Sequence, residues 1–146
     1  MATKRKEITE EIVRLFKEID GTVSYKSNLF ENVFNKCVFM DEIKDFPTVC
    51  VWPGAERREY LPSNFQWGYI TLNIRIYVGS DDPKKDLENI FEDLEKVLDE
   101  NNTLRYPDGS EMCTDIRIIT ISDDEGLFND QGLGIGEIQA IVQYSV

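Results

Sequence analysis

WGYITLNIRIYV, residues 67–78, is the stretch whose reading decides the fold. Successive side chains of an extended chain point to opposite sides, so Ile70, Leu72, Ile74, Ile76 and Val78 share one face. The other face carries Tyr69, Thr71, Asn73, Arg75 and Tyr77. The first set is a core face. The second mixes aromatic rings with hydrogen-bonding groups, as protein-binding surfaces do. No stretch of comparable clarity carries catalytic chemistry, so the pattern predicts a sheet-centred protein that assembles.

Upstream, Phe46–Trp52 (FPTVCVW) reads as a strand with a proline near its start, where a missing N–H matters least. Pro53-Gly54 is expected to break it, and Ala55–Leu61 to form a polar return strand before Trp67 opens the long one. The chain begins with a helix: Ile8, Ile12, Leu15, Phe16 and Ile19 recur at helical spacing among Glu, Lys and Arg. Asp20-Gly21 is its expected end, since glycine readily takes the left-handed conformation there. Between Thr22 and Asp45 the pattern is ambiguous. Val23 and Tyr25 point to a short strand, while Val33, Phe34, Val38 and Phe39 fit no regular period.

Downstream, Ser80-Asp81-Asp82-Pro83 signals a helix start, an oxygen side chain accepting free N–H groups and proline suiting the first turn. Leu87, Ile90, Phe91, Leu94, Val97 and Leu98 form its apolar stripe, and Asn101-Asn102 ends it. Residues 106–109 (YPDG) make a turn. Ile116, Ile118 and Ile119 mark a strand ending near Ile121, followed by an acidic loop, Ser122–Asp130. Residues 135–146 alternate again, with Ile138, Ala140, Val142 and Tyr144 on one side. The predicted fold class is α+β: a mainly antiparallel sheet with two amphipathic helices packed on one side. One domain over residues 1–146 is expected, with no repeat and no linker.

With 41% hydrophobic residues and 11% aromatics the chain is expected to fold rather than stay disordered. Its formal net charge of -12 repels nucleic acid and anionic membranes. Lys4-Arg5-Lys6 is a local exception, read as a solvated helix start. The absence of histidine removes the commonest general base and metal ligand. Cys37, Cys50 and Cys113 are odd in number and widely spaced, which argues against a disulfide framework and for a reducing compartment. No signal peptide, lipidation motif or long apolar run is seen, so a soluble intracellular product is expected.

Candidate chemistry is thin. Gly132, Gly134 and Gly136 in GLGIGE superficially match a dinucleotide loop, but that loop follows a strand and opens a helix, and here a strand follows. A flexible loop entering an edge strand explains them better. Asp123, Asp124, Glu125 and Asp130 lack the spacing of a calcium loop and read as solvated acids. Cys50 between Val49 and Val51 reads as a buried, inert thiol, and Ser63 and Ser110 as turn residues. No catalytic, cofactor-binding or metal-binding residue is assigned. Trp52, Tyr60, Trp67 and Tyr69 flank Glu56-Arg57-Arg58-Glu59. They either pack on their own hairpin or, with Arg57, Arg58, Arg75 and Tyr77, form an assembly interface, since arginine and aromatics are enriched at such surfaces.

The order of these pieces carries more information than any of them singly. A helix precedes the FPxVxV strand (Phe46–Val51), and a polar hairpin leads to a long strand ending in YVGSDD (Tyr77–Asp82). An acidic helix follows, then DIRIITI (Asp115–Ile121), then SDDEGLFNDQGLGIGEIQAIVQY (Ser122–Tyr144). Over nearly the whole chain this resembles the tail terminator, or tail completion, proteins of long-tailed bacteriophages. The resemblance implies a non-enzymatic virion protein without cofactor. It implies a six-fold homo-oligomeric ring that caps the tail tube, stops its polymerisation and offers a surface to the head and neck connector proteins. The implied partners are further copies, the tail tube protein and those connectors. DNA would pass through without specific binding, and no membrane is involved. The implied location is the head-proximal end of the virion tail, after assembly in the host cytoplasm. The alternatives are another neck or tube component, such as a head-closure protein, or an acidic DNA mimic that inhibits a host enzyme.

Overall fold

The computed structural model describes residues 4–22, 24–124 and 132–146. The elements run α1 (Lys4–Lys17), β1 (Val33–Phe34), β2 (Thr48–Tyr60), β3 (Gln66–Gly79), α2 (Pro83–Glu100), β4 (Thr114–Asp124) and β5 (Leu133–Ser145). The five strands make one sheet in the order β1-β2-β3-β5-β4. Among the described strands only β1 and β2 pair parallel; the other three ladders are antiparallel. Among the described residues the fold is thus α+β, with two helices and a mostly antiparallel sheet.

The alternation in β3 is realised as read. Ile70, Leu72, Ile74, Ile76 and Val78 are all buried, and each fully buried aliphatic side chain of this kind is worth about 1.5–3 kcal/mol. Opposite them on β5 stand Val142, Ala140, Ile138, Gly136 and Gly134. The same buried cluster takes in Ile8, Ile12, Val13 and Phe16 of α1 and Leu87, Ile90, Phe91, Leu94, Val97 and Leu98 of α2.

β2 departs from expectation. Pro53-Gly54 does not break it, and Ala55–Tyr60 is no return strand but the distal half of the same one. The register shifts between Pro53 and Glu56, so a local irregularity absorbs the proline and pairing with β3 resumes at Glu56↔Ile70. The return strand is β3 itself.

α1 ends at Lys17, earlier than Asp20-Gly21, because Glu18 and Ile19 donate to the Leu15 and Phe16 carbonyls and tighten the last turn. Gly21 does take a positive φ of 79°. Tyr25 is not in a strand, and Val23 lies outside the described residues. The segment after α1 is pinned to α2 by Asp93, whose carboxylate accepts the Lys26 and Ser27 N–H groups and the Ser27 hydroxyl. α2 starts as its sequence requires, with Asp82 accepting the Lys85 N–H at 3.2 Å and Pro83 in the first turn.

Of the GLGIGE glycines, Gly132 leads into β5 while Gly134 and Gly136 lie inside it, and β5 is an interior strand, not an edge. Their role is close packing. A Cβ on Gly136 would lie 2.5 Å from Phe91 Cζ, and one on Gly134 3.1 Å from Leu87 Cδ1, so α2 sits close to β5 only because both positions are bare. The expected acidic loop starts later than Ser122, since Ser122–Asp124 still belong to β4 and pair with β5; residues 125–130, with Glu125 and Asp130, lie outside the described residues.

Candidate assembly surface

β2 and β3 form a hairpin whose tip is residues 61–65, closed by the Leu61 N–H donating to the Phe65 carbonyl at 2.8 Å. Ser63 and Asn64 both take left-handed backbone conformations, with φ of 67° and 62°. Asparagine tolerates that region better than most residues. Tyr60, Leu61 and Phe65 are 72%, 38% and 43% exposed, and Phe65 meets Trp67 edge to face at 5.1 Å. The tip is therefore an aromatic knob held out from the sheet.

The ladder sorts the eight sequence-chosen residues. Trp52, Arg57, Trp67, Tyr69, Arg75 and Tyr77 fall on the face opposite the main core, whereas Arg58 and Tyr60 fall on the other. On the first face Arg57 and Tyr69 are direct partners, with the guanidinium 4.5 Å from the ring centre. Arg75 lies 5.3 Å from the Trp52 ring and donates to Glu137 at 2.9 Å. Gln139 donates to Asn73 at 3.2 Å beside them. These cation–π contacts restrain Arg57 and Arg75, which lowers the entropic cost of meeting a partner.

Tyr77 is set apart, and its expected place on an open surface needs correction. It is 2% exposed, packs with Val38 and Cys50, and donates its hydroxyl to the Val38 carbonyl at 2.6 Å. Ile43, Phe46, Trp52 and Ile135 pack against this second small core. Segment 38–46 covers that end of the face, a long-range contact that alternation cannot reveal. Burial pushes the Tyr77 phenol and the Cys50 thiol up from their ordinary values, and Cys50 is inside the protomer as expected.

Arg58 belongs to a polar knot at the hairpin's root. It ion-pairs with Glu56 and donates to the Tyr144 hydroxyl at 3.3 Å; that hydroxyl donates to Glu56 at 3.0 Å. Arg5 of α1 completes the knot, 3.6 Å from Glu56. Burial pushes the Glu56 carboxyl up, but the hydrogen bonds from Arg58 and Tyr144 and the positive charges outweigh it and hold the group below the usual range. Leu61 and Phe65 were not singled out from the sequence. The Pro62-Ser63-Asn64 turn between two polar strand segments is the signal that would have found them.

Among the described residues no group of His, Cys, Asp and Glu side chains is arranged to hold a metal ion, and no helix is long and apolar enough to cross a membrane. The family model of the bacteriophage tail tube terminator protein matches residues 2–146. The chain belongs to the bacteriophage tail tube terminator family. It is also 36% identical, over 141 residues, to the tail tube terminator protein p142 of Escherichia phage T5, covering 90% of this chain and 86% of that protein. Tail terminator membership gives the chain a structural role at the end of a phage tail and a place in the virion tail. The element order from FPxVxV to the final alternating strand had already pointed to this family.

Proposed function

We propose that this terminator closes the tail tube as a ring, with both helices packed on one face of the sheet and the opposite face and hairpin meeting neighbouring copies. The hairpin tip carries this reading. Tyr60, Leu61 and Phe65 are exposed on a short turn next to Arg57 and Tyr69, the residue types that dominate binding energy at protein interfaces. Head-to-tail contacts whose rotation closes give a ring, and closure stops growth in the plane. One axial face then binds the last ring of tube subunits while the other meets head or neck connectors. A six-fold ring at the head-proximal end, assembled in the host cytoplasm, fits this scheme. The net charge of -12 supports a lumen that does not hold DNA in transit. Reversing lumen-facing acids to Lys in an otherwise assembling protein should slow DNA passage, and unchanged infectivity would sink that element.

Electron microscopy of the purified protein tests the core of the proposal. Single rings that seat on tube ends support it. Long tubes of this chain alone would make it a tube subunit instead.

A further inference from the structure

We propose that copies join edge to edge, the outer edge of β4 (residues 117–123) pairing antiparallel with the outer edge of β2 (residues 56–60) of the next copy, so that one sheet runs through successive protomers. This rests on the ring reading above and specifies its contact.

Among the described residues both edges are uncovered over part of their length. β4 is the last strand of the sheet. Its start is covered, because Thr114 accepts from the Leu104 N–H and donates to the Asn102 carbonyl. Among the described residues no backbone hydrogen bond outside the sheet reaches residues 117–123. At the other edge β1 covers only Val49 and Cys50, and Arg5 reaches the Gly54 carbonyl. Beyond that, Arg57, Arg58, Glu59 and Tyr60 are exposed. Two such edges on one protein invite pairing, and the register shift between Ile118 and Thr120 leaves Thr120–Asp123 as the regular part of the β4 edge.

Direction selects the partner. Three antiparallel ladders make β2 and β5 run one way and β3 and β4 the other. A β4 edge brought beside the β2 edge of a like-oriented copy is therefore antiparallel, and the alternation continues without a break. Pairing β4 with β4 through a two-fold axis would leave the β2 edge bare. β2 instead can set Arg58 against Asp123 and Tyr60 against the exposed Ile121 in a single register, all four on one face of the sheet.

The free stretches are not level. Through the ladders Arg58 stands level with Thr114, and Glu56 with Ile116, whereas the bare part of β4 begins at Arg117. A neighbour must slide along the strand direction to pair. Such a stagger tilts the strands and lets a sheet close on itself.

Disulfide trapping decides the matter, with Cys37→Ser and Cys113→Ser as background and buried Cys50 retained. Arg57→Cys, Arg58→Cys and Glu59→Cys are placed singly on β2, and Thr120→Cys, Ile121→Cys and Ser122→Cys singly on β4. Under mild oxidation, with and without tail tubes of the same phage, β2 and β4 chains mixed together should give covalent dimers. Either class alone should not, and a chain carrying one of each should give a ladder ending in closed rings. Rings by native mass with no β2–β4 cross-link, or cross-links within one class only, overturn the strand junction and leave the ring standing. Monomers under every condition overturn both.

Discussion

Glu56 ties α1, the hairpin and β5 together, and its depressed carboxyl makes that tie dependent on pH. A group held below its unfolded value, about 4.3 for glutamate, contributes stability that is present above that value and lost as pH falls through the folded one. Glu56→Gln should therefore lower stability at neutral pH and flatten the acid limb, as seen by urea melts from about pH 6 to about pH 3. Parallel wild-type and variant curves would mean the knot contributes nothing. Tyr77 makes a different prediction, because its ring fills the second core. Tyr77→Phe should cost about 0.5–1.5 kcal/mol through the lost bond to Val38, and truncation to Ala about 3–5 kcal/mol. Denaturation of the isolated protomer reads both. A Tyr77→Ala protein of wild-type stability that fails only in assembly would return Tyr77 to the interface.

At the scale of elements, β3 is the rib and β5 its partner. Ile74→Asp places an unpaired charge in the buried face and should abolish cooperative unfolding; a folded variant would contradict the assigned strand. Gly136→Val should fail similarly by pushing α2 off β5, whereas the same change at Gly109, which has open space around it, should be felt only through its positive φ of 89°. Circular dichroism melts compare the two. What the sequence revealed follows from range. The period in 67–78, the Asp82-Pro83 helix start and the YPDG turn are local, and local rules suffice for them. The run of β2 through Pro53-Gly54 was not legible, because those residues usually punctuate and only pairing with β3 overrides them. The need for bare Gly134 and Gly136 depends on Phe91 and Leu87, more than 40 residues earlier. Of the site, the Arg57–Tyr69 pair follows from two strands facing each other. The burial of Tyr77 does not, since its cover comes from segment 38–46.

For the whole molecule, folding and assembly should separate cleanly. Tyr60→Ala with Phe65→Ser removes exposed side chains, and each such surface change usually moves stability by no more than about 0.5 kcal/mol. As an interface hot spot, the tip should lose about 2 kcal/mol for each residue removed, so the pair should weaken each contact by roughly thirtyfold at least and up to about a thousandfold if the two losses add. Sedimentation of the variant beside the wild type measures this, and unaltered assembly would move the contact elsewhere on the molecule. The acid-rich surface should make non-specific association weak, so contacts that do form depend on the few arginines and aromatics already placed at the hairpin. Capping by a closed ring is tested most directly by native mass spectrometry of the purified chain, alone and mixed with the tail tube protein of the same phage. A discrete multi-copy ring that binds tube ends is the predicted result. A monomer in both samples would contradict it.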